Sequence, residues 1–99
     1  MTQFSESTRK QIASVCKKYK IRDLSLFGSR VRGEASDRSD YDLLVDFWPD
    51  SAISLFEFSR IQVDLEEIFG TKVDLVPKSG LKPLIRNRVL AEAMPIYEE

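Results

Sequence analysis

Asp40 and Asp42 stand one residue apart at the head of the apolar run Leu43-Leu44-Val45. Side chains alternate faces along a strand, so the two carboxylates would share one face about 6–7 Å apart. Carboxylates so placed can converge on one or two hard cations, and Mg²⁺ takes one or two protein carboxylates alongside phosphate oxygens. By itself the pair carries little weight as a metal site and reads as two solvated acids at a strand edge. Asp46 shares the face but lies four residues, about 13 Å, beyond Asp42, a neighbour and not a partner. A second acidic strand sharpens the reading: Lys72-Val73-Asp74-Leu75-Val76 sets one aspartate inside an apolar run, where burying a charge is costly unless something pairs with it. Either an arginine forms a salt bridge to Asp74, or the two strands are neighbours and Asp74 reaches the same cations. Three carboxylates around Mg²⁺ suit phosphoryl or nucleotidyl transfer, whose catalysis is mostly positioning and charge neutralisation.

Ten residues lie between Ser29 and Asp40, and the Gly28-Ser29 pair ahead of them supplies a different chemistry. A glycine after a strand lets the backbone approach a phosphate, and the N–H groups and hydroxyl beyond it form an anion cradle. Arg30 and Arg32 offer guanidinium groups to phosphate oxygens. Gly33 frees the chain to turn back towards Asp40. Triphosphate on one side and metal on the other would be two parts of one ligand.

The rest of the chain limits the alternatives. Histidine is absent, which excludes Ser-His-Asp and Cys-His catalysis and His-ligated zinc. With 15 basic and 16 acidic residues the net charge is −1, a poor basis for direct binding of long nucleic acid. No apolar run has membrane-spanning length and the first residues lack a signal-peptide pattern, so no membrane association is expected. The one cysteine, Cys16, cannot form an internal disulfide and sits on an apolar stripe as a small core residue. A reducing cytoplasm suits it.

The elements that must position these residues follow from periodicity. A helix is expected from about Thr8 to Lys20, capped by Thr8 with Gln11, with Ile12, Val15, Cys16 and Tyr19 as its apolar stripe. Asp23 to Phe27 reads as a strand closed by Gly28, with a short helical turn at Ser29, and Tyr41 to Phe47 reads as a second strand. A long helix should run from Ser54 to Phe69, with a Ser54/Glu57 capping box and Gly70 as C-terminal cap. Lys72 to Val76 makes a third strand. A last helix begins near Lys82 with Pro83 in its first turn, turns Leu84, Ile85, Val89 and Ala93 inward, and is stopped by Pro95. The expected order is α-β-α-β-α-β-α over residues 1–99: one α/β (α+β) domain with a small mixed sheet of about three strands flanked by helices. Phe47, Trp48, Phe56 and Phe58 exceed what one helix stripe needs, and part of that surplus could form a docking patch.

The string Phe27-Gly28-Ser29-Arg30-x-Arg32-Gly33 followed by Ser39-Asp40-x-Asp42-Leu43-Leu44-Val45 resembles the signature of the DNA polymerase beta-like nucleotidyltransferase superfamily, in its minimal nucleotidyltransferase (MNT) branch. The likeness extends to Lys72–Val76, similar to the third acidic strand, and to the closing helix from Leu81. The resemblance implies the polymerase beta-like fold and a Mg²⁺-dependent reaction with ATP, two ions being expected. It implies that Gly28 and Ser29 hold triphosphate, that Asp40 and Asp42 bind metal, and that Asp74 joins the metal site and helps deprotonate the attacking hydroxyl. It further implies an antitoxin whose partner is a HEPN-domain ribonuclease toxin, silenced by AMP transfer to a hydroxyl, expected to be a tyrosine. A non-catalytic antitoxin that covers the toxin is the other reading.

Overall fold

The computed structural model describes residues 4–33 and 40–98. Helix α1 (Glu6–Lys18) starts two residues earlier than the periodicity suggests, because the cap is Ser5, whose hydroxyl accepts the Thr8 N–H at 3.1 Å. The expected Thr8/Gln11 box is displaced by this upstream serine. The helix ends where Lys20 adopts φ 58°, a left-handed turn that releases the chain directly into β1 (Ile21–Phe27). Gly28 then leads into the single turn α2 (Ser29–Arg32). Strand β2 (Tyr41–Phe47) has the expected bounds. Helix α3 (Leu55–Phe69) carries the Ser54/Glu57 capping box in both directions and ends on Gly70 at φ 72°. Strand β3 (Val73–Pro77) is followed by a 3₁₀ turn, then α4 (Pro83–Glu92) with Pro83 at its first position, and β4 (Met94–Glu98).

That last strand corrects the expected three-stranded sheet. The sheet is mixed and four-stranded, in the order β3-β2-β1-β4. Strand β1 runs antiparallel to both β2 and β4, and β2 runs parallel to β3 across the α3 connection. Pro95, expected to stop α4, lies inside β4 and pairs with Ser25. Proline removes one ladder donor, a loss that an edge strand tolerates.

The two faces of the sheet are covered unequally. One face, with Leu24, Leu26, Leu43, Val45, Val73 and Leu75, packs under Ile12 and Cys16 of α1, Tyr19 just past its end, and Ile61 and Leu65 of α3. Each large apolar side chain buried there stabilises the fold by about 1.5–3 kcal/mol. On the other face Leu44 packs with Leu81 and Val89, and Phe27, Val76, Leu90 and Ala93 flank them. Here α4 departs from expectation: Val89 is buried, but Leu84 is 98% exposed and Ile85 44%. Burial is confined to the C-terminal half of the helix, so its first turns carry apolar side chains into solvent.

Candidate active site

Alternation along β2 places Leu43 and Val45 in the main core and Leu44 in the second cluster. Asp42 therefore lies on the Leu44 face, the thinly covered one. Parallel pairing sets Asp42 directly beside Asp74, with Leu44 beside Val76 two residues further on. On the other side Asp42 is paired with Phe27, the last residue of β1. The two acidic strands are neighbours, one of the two alternatives the sequence left open.

Gly28 closes the constellation. It has φ 84° and ψ −153°, a conformation essentially reserved for glycine. A Cβ built on it would stand 2.2 Å from Asp42 Oδ2. The glycine backbone therefore lies against the Asp42 carboxylate, and the Gly-Ser turn and the acidic pair meet at one point. Beyond it the Gly28 carbonyl accepts the N–H groups of Val31 at 3.1 Å and Arg32 at 3.2 Å, which forms the α2 turn and sets Ser29 at its first position.

The acids act on one another. Burial, then the charges of Asp74 and Asp40, push the Asp42 carboxyl above its usual range; Arg32 opposes the shift and Glu92 adds to it. Asp40 and Asp74 are solvent-exposed. The exposure of Asp74 corrects the expectation of a charge buried among apolar neighbours: β3 is an edge strand, and alternation turns Val73 and Leu75 inward and Asp74 outward. Among the described residues no arginine pairs with Asp74, and no three acidic groups form a closed set of metal ligands. What the site offers is carboxylate oxygen at a point of accumulated negative charge, the donor chemistry that suits a hard cation such as Mg²⁺.

The arginines are engaged by protein groups. The Arg30 guanidinium lies over the Tyr41 ring, 3.9 Å from its centroid, and Tyr41 stacks on Phe69 at 4.4 Å. Arg32 Nη1 donates to Glu92 Oε1 at 3.0 Å and Oε2 at 3.2 Å. Gly33 takes φ 75° at the end of α2 and turns the chain out of the helix. Asp46 forms an ion pair with Arg22 towards the far end of β2, away from Asp42. Ser39 of the motif lies outside the described residues. Glu92 is the site residue that motif reading overlooked: it stands 64 positions from Gly28, and only the return of α4 to the β1 end brings it close.

The expected docking aromatics separate. Phe47 packs against Phe58, 6.5 Å between centroids, and Trp48 lies under the Arg22 guanidinium, whereas Phe56 is 78% exposed. No helix among the described residues is long and apolar enough to cross a membrane.

Comparison with known proteins identifies the fold and the family. The protein adenylyltransferase MntA of Thermococcus cleftensis is 44% identical over 77 residues, 78% of this chain and 76% of that protein. A solved structure described as a minimal nucleotidyltransferase superposes with a TM-score of 0.74 at 38% identity, covering 90% of this chain and 89% of the other. A Shewanella oneidensis structure, a tri-AMPylated HEPN toxin in complex with an MNT antitoxin, shares the fold at 16% identity and TM-score 0.66, with 95% of this chain and 72% of that one covered. The nucleotidyltransferase domain model matches residues 8–96, and the chain belongs to that nucleotidyltransferase family.

Proposed function

We propose that this protein is an antitoxin that transfers AMP from ATP to a hydroxyl, expected to be a tyrosine, of a HEPN-domain toxin. The observation that carries the reading is the approach of Gly28 to Asp42, with Asp74 beside Asp42 in register. That approach joins a phosphate-type turn to an acidic pair. The name of the Thermococcus relative and the AMPylated partner of the Shewanella MNT antitoxin support the acceptor class.

In this reading Ser29 and the N–H groups of the α2 turn hold triphosphate oxygens. Asp40 and Asp42 would hold Mg²⁺, which would neutralise phosphate charge and polarise the reacting phosphoryl group. Asp74 accepts the proton of the acceptor hydroxyl. The acceptor oxygen bonds to the α-phosphorus, the bond from that phosphorus to the bridging oxygen breaks, and pyrophosphate leaves. The exposure of Asp40 and Asp74 leaves their side of the site open to a hydroxyl brought by another protein.

The test is Asp74→Asn in the complex with its toxin, with adenylylation followed by intact-mass spectrometry. The expected result is complex formation as in wild type with transfer slowed by orders of magnitude, because the carboxylate acts chiefly in the transition state. Full transfer by the variant would remove Asp74 from the chemistry. A second reading, neutralisation by covering alone, draws on the exposed apolar side chains Leu55 (85%), Phe56 (78%) and Leu84 (98%). Tight, silencing complexes formed by a wild-type protein that transfers no AMP would favour it.

A further inference from the structure

The Glu92 carboxylate binds the Gly28-Ser29 turn at both ends. Its Oε2 accepts the Gly28 N–H at 2.9 Å, and both of its oxygens accept from Arg32 Nη1, at 3.0 and 3.2 Å. The Arg32 N–H in turn donates to the Gly28 carbonyl at 3.2 Å. Gly28, Arg32 and Glu92 thus form a closed ring of hydrogen bonds, with the whole α2 turn inside it.

The placement follows from the topology. Pairing of β1 with β4 runs as far as Leu26 opposite Met94. Gly28 lies beyond that last rung, and the side chain of Glu92, two residues before Met94, takes its N–H in place of a strand. On its opposite side Gly28 meets Asp42. The turn is therefore held between two carboxylates: one belongs to the acidic strand and the other to the end of α4. Glu92 is also the more protected member of its ion pair, 17% exposed against 38% for Arg32, so its charge is less screened than a typical surface pair. The Gly28 N–H and the guanidinium hold it ionised, below the usual carboxylate range.

We infer that Glu92 is a positioning residue for nucleotide binding: through Gly28 and Arg32 it sets the orientation of the phosphate turn without itself touching the nucleotide. The inference rests on the proposed role of that turn as the triphosphate holder. It gives α4 a function beyond covering Leu44, because the helix carries a side chain that locks the turn from the side away from Asp42.

The test uses Glu92→Gln and Glu92→Ala in the full chain, with MgATP titrated by calorimetry and AMP transfer to the toxin measured against ATP concentration. Glutamine keeps an acceptor for the Gly28 N–H and loses the ion pair. Its melting temperature should stay within a few degrees of wild type while its ATP affinity falls about tenfold, the scale of one charge-assisted hydrogen bond. Alanine should lose more. In both variants KM for ATP should rise far more than kcat falls, a split that mere loss of stability would not produce. The Gly28 amide proton, followed by NMR hydrogen exchange without nucleotide, should be protected in wild type and lose protection in the alanine variant, a readout independent of activity. Unchanged ATP affinity in a folded Glu92→Gln protein overturns the inference. Tighter binding also overturns it, and would make Glu92 a competitor for the phosphate position. A wild-type protein that takes up no MgATP refutes the triphosphate reading itself, which the variants alone cannot do.

Discussion

Replacing Gly28 with alanine probes the junction of the two halves of the site, and its cost can be worked from the coordinates. The added Cβ would lie 2.2 Å from Asp42 Oδ2, 3.0 Å from Cγ and 3.2 Å from Cβ. Forcing an L-residue into φ 84°, ψ −153° costs about 1–3 kcal/mol. Pushing the Asp42 side chain aside adds about 1–3 kcal/mol, as overpacking elsewhere does. The sum, about 2–6 kcal/mol, is a large share of the roughly 5–15 kcal/mol that holds a domain folded. At about 4–8 °C per kcal/mol for a chain of this size, the melting temperature should drop by about 10 °C or more. Gly33 at φ 75° and Gly70 at φ 72° are internal controls, since no described atom lies within 4 Å of a Cβ built on either. Their alanine variants should show backbone strain alone, about 1–2 kcal/mol. Asp42→Ala removes the two closest atoms, so Gly28→Ala should cost about 1–3 kcal/mol less in that background. Thermal and urea unfolding of the four single variants and the Gly28/Asp42 double variant measure all of this. A Gly28→Ala protein no less stable than Gly33→Ala, with no coupling to Asp42, would refute the contact on which the site rests.

Three further outcomes follow from the same geometry. Asp23 faces Asp46 on β2 and Glu98 on β4, and its carboxyl is raised above its ordinary 3.8, chiefly by burial, with Lys78 and Arg22 opposing and the two acids adding. The folded state then holds this proton more tightly than the unfolded chain, so stability falls as pH rises from 3.8 through the raised value and stays lower above it. Asp23→Asn should therefore be the more stable protein in urea at pH 7, with the gain closing on acidification below 3.8; a less stable variant at pH 7 would contradict the sign. Ser29→Ala should bind MgATP about tenfold more weakly by calorimetry while melting as wild type does, because one hydroxyl contact is lost and the backbone donors remain. MgATP should raise the melting temperature of wild type, and Asp40→Asn with Asp42→Asn should lose most of that rise while staying folded; an unchanged ligand shift would place the metal elsewhere.

Much of the site was legible because its parts are local in sequence. Strand alternation alone assigned Asp42 and Leu43 to opposite faces, and β2 has the bounds read from its apolar run. Ser54, Glu57 and Gly70 announced both ends of α3. What escaped was set by tertiary contact. Strand β4 contains Pro95, which reads as a breaker until an edge position makes its missing donor harmless. Leu84 and Ile85 read as inward-facing with Val89, yet only Val89 is buried. The contacts of Arg30 with Tyr41 and of Arg32 with Glu92 likewise join residues far apart in sequence. No local pattern links Glu92 to Gly28.

The edge position of β3 raises a question of rigidity, since Asp74 stands on a strand with a neighbour on one side only. Helix α3 supplies the missing side. Gln62 Nε2 donates to the Val73 carbonyl at 3.0 Å, and Glu66 Oε2 accepts the Val73 N–H at 3.1 Å. Two side chains one helical turn apart thus satisfy both backbone groups of the residue before Asp74, as a further strand would. The arrangement closes the sheet edge to other chains at that point and fixes the backbone that carries Asp74. The Asp74 side chain is left in solvent on the opposite face from α3. Each half of the candidate site is thereby held by a helix: α3 through Val73 beside Asp74, and α4 through Glu92 beside Gly28. Both ties are made by side chains to backbone, so the carboxylates that would do the chemistry are not spent on holding the fold.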